Sequence, residues 1–259
     1  MKKSPFSRSP VDIIIPFHDH HDQVAKLVYS ILISVKSNPY QITLVDDGSK
    51  NRFFSEDFKD FDKNRPMGTD PIVKVIRSEK RLGFGGALNL GFKNTKQPYV
   101  MIMHSDCLVE NPNWMINMGE SLLTLKEFNV RMVAAKSQNP GLGTAKLKAE
   151  KNEFTTTNDM ILNDDEFLPL YCVMAHRELF NRIGGFVKAY PYLGYEDEEL
   201  AYRMKLYGYK QAVCSKAWIN HTGGMTINSL IKENPEVLEV INENRNLCIE
   251  DMKKITKNR

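Results

Sequence analysis

The stretch VDIIIPFHDHHDQVAKLVYSILISVKSNPYQITLVDDGS, residues 11–49, decides the fold class. Its first seven residues form a short apolar, β-branched run broken by Pro16, the pattern of a buried strand rather than a helix. From Gln23 to Val35 the apolar residues Val24, Leu27, Val28, Ile31, Leu32 and Val35 recur at helical spacing. Ile42 to Val45 read as a second buried strand, ending in Asp46, Asp47 and a Gly-Ser turn. Strand, helix, strand in so short a span is a β-α-β unit, which implies a parallel sheet.

Further along the chain the pattern repeats. Residues 50–71 are polar, with Phe53, Phe54, Phe58 and Phe61 suggesting a short helix before a loop. IVKVIRS (72–78) is a third strand, GGALNLGFKNT (85–95) a helix, YVMIMHSD (99–106) a fourth strand and NWMINMGESLLTLKEF (113–128) another helix. The expected fold class is α/β, a mainly parallel sheet flanked by helices. Its polar groups gather at strand C-termini, where open α/β sheets bind ligands. After RMVAAKSQ (131–138), residues 139–163 are rich in Gly, Lys, Asn and Thr without a period, either a loop or an irregular strand pair. LPLYCVMAHRELFNRIGGF (168–186) is a strand running into a short helix, KQAVCSKAWINHTGGMT (210–226) a strand and polar loop, and a charged helix runs from about Pro235 to the end.

A length of 259 residues fits one large α/β domain or a domain with a small appendage, and one domain is expected. Residues 1–10 read as a flexible arm, because MKKSPFSRSP has no apolar run behind its lysines and no secretory signal pattern. With 35 basic against 32 acidic residues, scattered rather than striped, nucleic acid is not an expected partner. No stretch approaches the roughly 18 apolar residues of a transmembrane segment. Cys107, Cys172, Cys214 and Cys248 lie far apart without a C-x-x-C pair, which suggests neither zinc nor a disulfide framework and points to reduced thiols in a cytoplasmic setting.

Several clusters carry chemistry. In LVDDGS two carboxylates end a strand; Asp and Gly are also ordinary turn residues, and that plainer reading wins for the motif alone. MHSDC places Asp106 at a second strand end, where a hard oxygen ligand can hold a divalent metal beside a diphosphate. RLGFGGALNLGF fails the dinucleotide fingerprint and has no G-K-[ST], so its glycines are expected to permit close packing, with Arg81 and Asn89 reaching toward a ligand. His221 follows a strand and precedes two glycines; a lone histidine is more often structural, but one before a flexible loop suits a metal ligand. HDHHD (18–22) reads as a solvated loop, since adjacent residues rarely converge on one ion. Glu196, Asp197, Glu198 and Glu199 open an amphipathic run; an acidic helix start explains them about as well as catalysis does, and Glu199 lies four residues before Arg203.

In this order, VDIIIPFHDH, ITLVDDGSKN, RLGFGGALNLGF, MIMHSDCLVENPNWM, IGGF, YLGYEDEELAYRMKLYGY and INHTGGMT resemble the family 2 glycosyltransferases of the GT-A fold over roughly residues 11–228. The acidic segment is also similar to that of the β-1,4-galactosyltransferase group. The resemblance implies a GT-A domain over 11–228, with a nucleotide-binding half at about 11–110, an acceptor-binding half at about 111–228 and a helical extension at 229–259. It implies an inverting transfer of a sugar from a nucleotide-diphospho-sugar, UDP-linked first, to a glycan or glycoconjugate acceptor, as in polysaccharide biosynthesis. Pro16, Phe17, Asp46, Asp47, Arg81, Asn89 and Ser105 would then bind the nucleotide, with Asp47 meeting the base. Asp106 ends the D-x-D position and His221 starts an H-x-x-G-x-[ST] pattern completed by Gly224 and Thr226, so both would hold Mn2+ or Mg2+. His104 stands where the first D-x-D aspartate is usual, and His18 and Asp19 where many relatives have Tyr-Asn. Asp197 matches the catalytic base and Glu196 would help hold the acceptor sugar. A non-catalytic nucleotide- or sugar-binding protein is the alternative, and a sugar nucleotidyltransferase is disfavoured by the acidic, histidine-rich FHDHHDQ after the first strand. The C-terminal helix is expected either to pack on the core or to form a homodimer contact.

Overall fold

The computed structural model describes residues 4–35, 39–53, 56–63, 71–151, 158–186, 190, 194–224, 228, 231–232 and 234–257. The expected first unit is present as β1 (Val11–Phe17), α1 (His21–Ser34) and β2 (Tyr40–Asp46). β1 and β2 pair in parallel, from Val11 against Tyr40 to Phe17 against Asp46. The chain continues through β3 (Val73–Arg77), α2 (Gly83–Lys93), β4 (Tyr99–Met103), β5 (Cys107–Leu108), α3 (Trp114–Thr124) and β6 (Val130–Lys136). It then forms β7 (Met160–Ile161), β8 (Cys172–His176), α4 (Arg177–Ile183), α5 (Glu196–Leu206), β9 (Lys210–Trp218), β10 (Asn220–His221) and α6 (Val237–Lys257).

Eight strands make one sheet in the order β3-β2-β1-β4-β8-β6-β9-β7. The β3-β2-β1-β4 block is parallel throughout, β8 enters antiparallel between β4 and β6, and β6 runs parallel with β9. All seven residues of β1 are buried, as expected for a central strand covered on both faces. One cover is α1, whose Val24, Leu27, Val28 and Ile31 are buried at the predicted spacing. The other approach is set by Gly91 of α2, where an added Cβ would lie 2.5 Å from Ile14 Cγ2, so the close-packing role expected for these glycines holds there. β5 and β10 form a separate two-stranded ladder that pairs Cys107 with His221.

The structure bears on three expectations. The arm is docked from Ser4 onward: Phe6 is fully buried, stacks edge-on against Tyr99 at 4.9 Å, and fills the space a side chain at position 119 would need. One buried phenylalanine supplies the anchor that the charged composition around it concealed. Residues 139–163 hold a 3-10 turn at Ala145–Leu147, a bridge from Ser137 to Lys148, and β7 against β9, so the segment is partly strand-like. Helix α6 packs on α5 within the same chain, with Val237, Asn244 and Cys248 buried. The 3-10 turn Glu56–Asp62 carries Phe58 and Phe61, while Phe54 and Thr226 lie outside the described residues. All four cysteines are free thiols, and no helix among the described residues is long and apolar enough to cross a membrane.

Candidate active site

A cavity of about 830 Å³ opens at the C-terminal ends of the central strands, within the range of sites that enclose a cofactor-sized ligand. Its walls come from both halves of the chain. Pro16 and Phe17 from the end of β1, Asp47 after β2, Arg81 before α2, and Ser105 after β4 all line it. So do His104, Asp106, Glu196, Asp197 and His221.

Asp47 is fixed by the backbone at the start of α2. Its Oδ1 accepts from Leu82 N–H at 2.6 Å and its Oδ2 from Gly83 N–H at 3.0 Å. These are helix N-terminal donors that lack partners within the helix, so Asp47 caps α2 from another element and the helix starts at Gly83, earlier than its sequence suggests. Burial raises the Asp47 pKa, against the opposing pull of those two bonds and of Arg81. The neighbouring His18 places its Nδ1 2.8 Å from the Asp47 carbonyl.

Two expected nucleotide ligands do not reach the cavity. Asp46 is nearly inaccessible, with Oδ1 accepting from Ser49 N–H at 2.8 Å and Oδ2 from Arg77 Nη1 at 2.5 Å. Successive strand residues point to opposite faces, so only one of the two aspartates can face the ligand. Asn89 is turned to the backbone of Phe186, donating to its carbonyl at 2.8 Å and accepting from its N–H at 3.2 Å, which ties α2 to the segment after α4. Both residues are structural braces here.

His104, Asp106 and His221 converge, their nearest ligand atoms all within 4.8 Å of one another. Among the described residues no other such group is found, and the HDHHD loop forms none. His104 and Asp106 lie in the turn after β4, while the β5–β10 ladder delivers His221 from far along the chain. The His221 ring stacks on Tyr171 at 4.8 Å, and its Nδ1 lies 2.7 Å from the Asn139 carbonyl. A carbonyl only accepts, so Nδ1 carries a hydrogen, and Nε2 faces Asp106 Oδ1, 3.3 Å away. Nε2 is buried and has no hydrogen-bond partner. An imidazole nitrogen facing a carboxylate oxygen, with the His104 ring beside them, fits a divalent cation. Burial, with the neighbouring His221, pushes the His104 pKa down to about 4, keeping this imidazole neutral. Burial works to raise the Asp106 pKa, but His221 and His104 outweigh it and hold the carboxyl below its usual range.

On the other side, α5 starts at Glu196 after Tyr195, which adopts a left-handed backbone with φ 70°. Glu196 is 3% exposed; its Oε2 accepts from Gly194 N–H at 2.6 Å and its Oε1 has no partner. Burial pushes Glu196 up to about 7. Burial, then the Glu196 charge, pushes Asp197 up to about 8. Glu199 plays the plainer part expected of it, bound through both oxygens to Arg203 in a buried pair at 2.5 and 2.6 Å. Tyr171, Asn139 and Leu142, from the two regions where the family resemblance places acceptor specificity (around 171–177 and 139–165), also line the cavity, as do Ile241 and Arg245, which sequence reading missed. No local motif marks these last two, because each arrives through long-range packing.

The matching family is described as glycosyl transferase family 2, and its model covers residues 12–184. An uncharacterized protein, y4gI of Sinorhizobium fredii, is 22% identical over 246 residues, covering 84% of this chain and 25% of its own length. This chain therefore spans about a quarter of that relative. Among solved structures, GalNAc-T7 with UDP, GalNAc and Mn2+ matches at TM-score 0.63 and 17% identity, over 82% of this chain and 44% of that one. The mannosyltransferase PcManGT from Pyrobaculum calidifontis, in complex with GDP-Man and Mn2+, matches at TM-score 0.58 and 17% identity, over 83% and 57%. These likenesses establish a shared GT-A fold.

Proposed function

The chain belongs to glycosyl transferase family 2, and from that premise we propose that it moves a sugar, with inversion, from a nucleotide-diphospho-sugar to a hydroxyl of a glycan or glycoconjugate. The observation that carries this reading is that a cation seat and a carboxylate with a raised pKa open into one cavity. Pro16, Phe17, Asp47, Arg81 and Ser105 hold the nucleotide. A UDP-sugar is the first choice of donor, supported by the fold shared with the UDP-bearing neighbour. His104, Asp106 and His221 hold Mn2+ or Mg2+, which when bound supplies positive charge to the leaving diphosphate.

The chain's own groups do the rest. Glu196, which lines the cavity with one oxygen tied to Gly194, helps hold the acceptor sugar. Asp197 takes the proton from the attacking hydroxyl as its oxygen bonds to the anomeric carbon. The bond from that carbon to the diphosphate oxygen breaks on the opposite face, its electron pair leaving with the nucleotide. A cytoplasmic setting belongs to the same proposal.

The test is a thermal-shift screen of the full chain against UDP, GDP, CDP and dTDP and their sugars, with and without Mn2+, followed by transfer assays with Asp197→Asn. A selective, metal-dependent rise is expected, with the variant keeping donor affinity and losing transfer. Near-normal turnover in Asp197→Asn removes it as the base, and no nucleotide response sinks the proposal as a whole.

A further inference from the structure

The C-terminal helix lies beyond the family-matched residues 12–184, yet it helps build the cavity through Ile241 and Arg245. Its place there is defined. Ile241 Cγ2 would stand 3.5 Å from a Cβ built on Gly194, and the Cys248 thiol lies 3.9 Å from the Tyr195 carbonyl. Gly194 and Tyr195 directly precede Glu196 and Asp197, so α6 rests on the segment that carries the acceptor-side carboxylates. Ile241 and Arg245 are four residues apart and share one helix face.

Arg245 is exposed and makes no hydrogen bond or ion pair with any described residue, although Glu196, Asp197 and Glu198 line the same cavity. The donor end already has Arg81 and the His104–Asp106–His221 seat for its charge. Apolar side chains line the cavity beside these charged groups. Leu142 is 84% exposed at the cavity wall, between Gly141 at φ 80° and Gly143 at φ 129°, and Phe167 and Pro169 line the same cavity. Sugar rings have apolar C–H faces that suit such walls, and a carboxylate or phosphate suits a guanidinium that meets no partner among the described residues.

Resting on the glycosyltransferase reading, we infer that the acceptor is an acidic glycan, with a carboxylate or phosphate on or next to the sugar that is modified. Arg245 pairs with that anion, while Ile241 and Leu142 pack against the sugar faces. Nucleotide binding does not depend on Arg245.

The full chain, loaded with Mn2+ and UDP or whichever nucleoside diphosphate the screen selects, is tested on an array of neutral oligosaccharides and their uronate- and phosphate-bearing counterparts. Acidic members are expected to bind at least about tenfold more tightly than neutral ones. Arg245→Ala is expected to erase that preference and Arg245→Lys to keep part of it, with nucleotide affinity by calorimetry unchanged in both. Equal or better binding of neutral members, failure of acidic members to bind, or an unchanged preference in Arg245→Ala overturns the inference while the glycosyltransferase reading stands. Loss of UDP affinity in Arg245→Ala assigns the residue to the leaving diphosphate and overturns it as well. Failure of the wild-type chain to bind any nucleotide overturns both.

Discussion

Asp106 and Asp197 are the same residue type in the same cavity, and their acidities move in opposite directions. Asp106 has two imidazoles beside it and is held below its usual range, ready to stay ionised and bind a cation. Asp197 is desolvated beside another carboxylate, Glu196, and is pushed up to about 8, which equips it to take a proton. Environment divides the labour between two carboxylates, one for fixed charge and one for proton transfer.

The comparison breaks most sharply at its two ends. Asp197→Asn should lower transfer by about 10²–10⁴-fold with nucleotide affinity intact, measured as kcat against calorimetric Kd. Asp106→Ala should instead weaken metal-dependent nucleotide binding by more than the roughly 10–100-fold that losing an outer-shell partner costs, while metal-free binding is unaffected. If both variants fail in the same way, the division of roles is wrong.

Overpacking the donor side tests rigidity without touching chemistry. Gly91→Ala drives a methyl to within 2.5 Å of Ile14, and thermal unfolding should show a loss of about 1–3 kcal/mol.

The raised pair also has a signature in pH. Glu196 and Asp197 hold protons in the folded chain from about pH 4, where unfolded carboxyls titrate, up to about 7 and 8. The folded state then binds more protons than the unfolded one, so their contribution to stability falls as pH rises through that window. The melting temperature of the Glu196→Gln, Asp197→Asn double variant should depend less on pH between 5 and 8 than that of the wild type. Transfer should run the other way, rising with pH until the pair's higher apparent pKa is passed. Glu196→Gln alone removes the like charge and should shift that rise to lower pH, the smallest effect of the set.

Much of this was legible before any coordinates. Apolar periodicity located β1, α1 and β2, and the polar residues after them fell at strand ends, where the cavity lies. Asp47 and Asp106 were therefore readable as candidates, whereas Asp197, in the first turn of a helix, was marked as a base only by the family resemblance. Asp46 was not separable from Asp47, because their division depends on which face the strand turns inward. Asn89 faces Phe186 across a fold contact that no local pattern encodes. Arg245 sits in a charged helix whose docking side is visible only once Ile241 meets Gly194.

The two-residue β5–β10 ladder has a consequence for how the protein assembles. It brings His221 to Asp106 from a distant part of the chain, so the cation seat cannot exist in a half-folded molecule. An ion that binds only the completed seat favours the last step of closure, and its binding free energy adds to the cohesion of the whole chain. A metal bound there would then act as a clasp as well as an aid to transfer, and a chelator would lower the melting temperature of the loaded chain along with its activity.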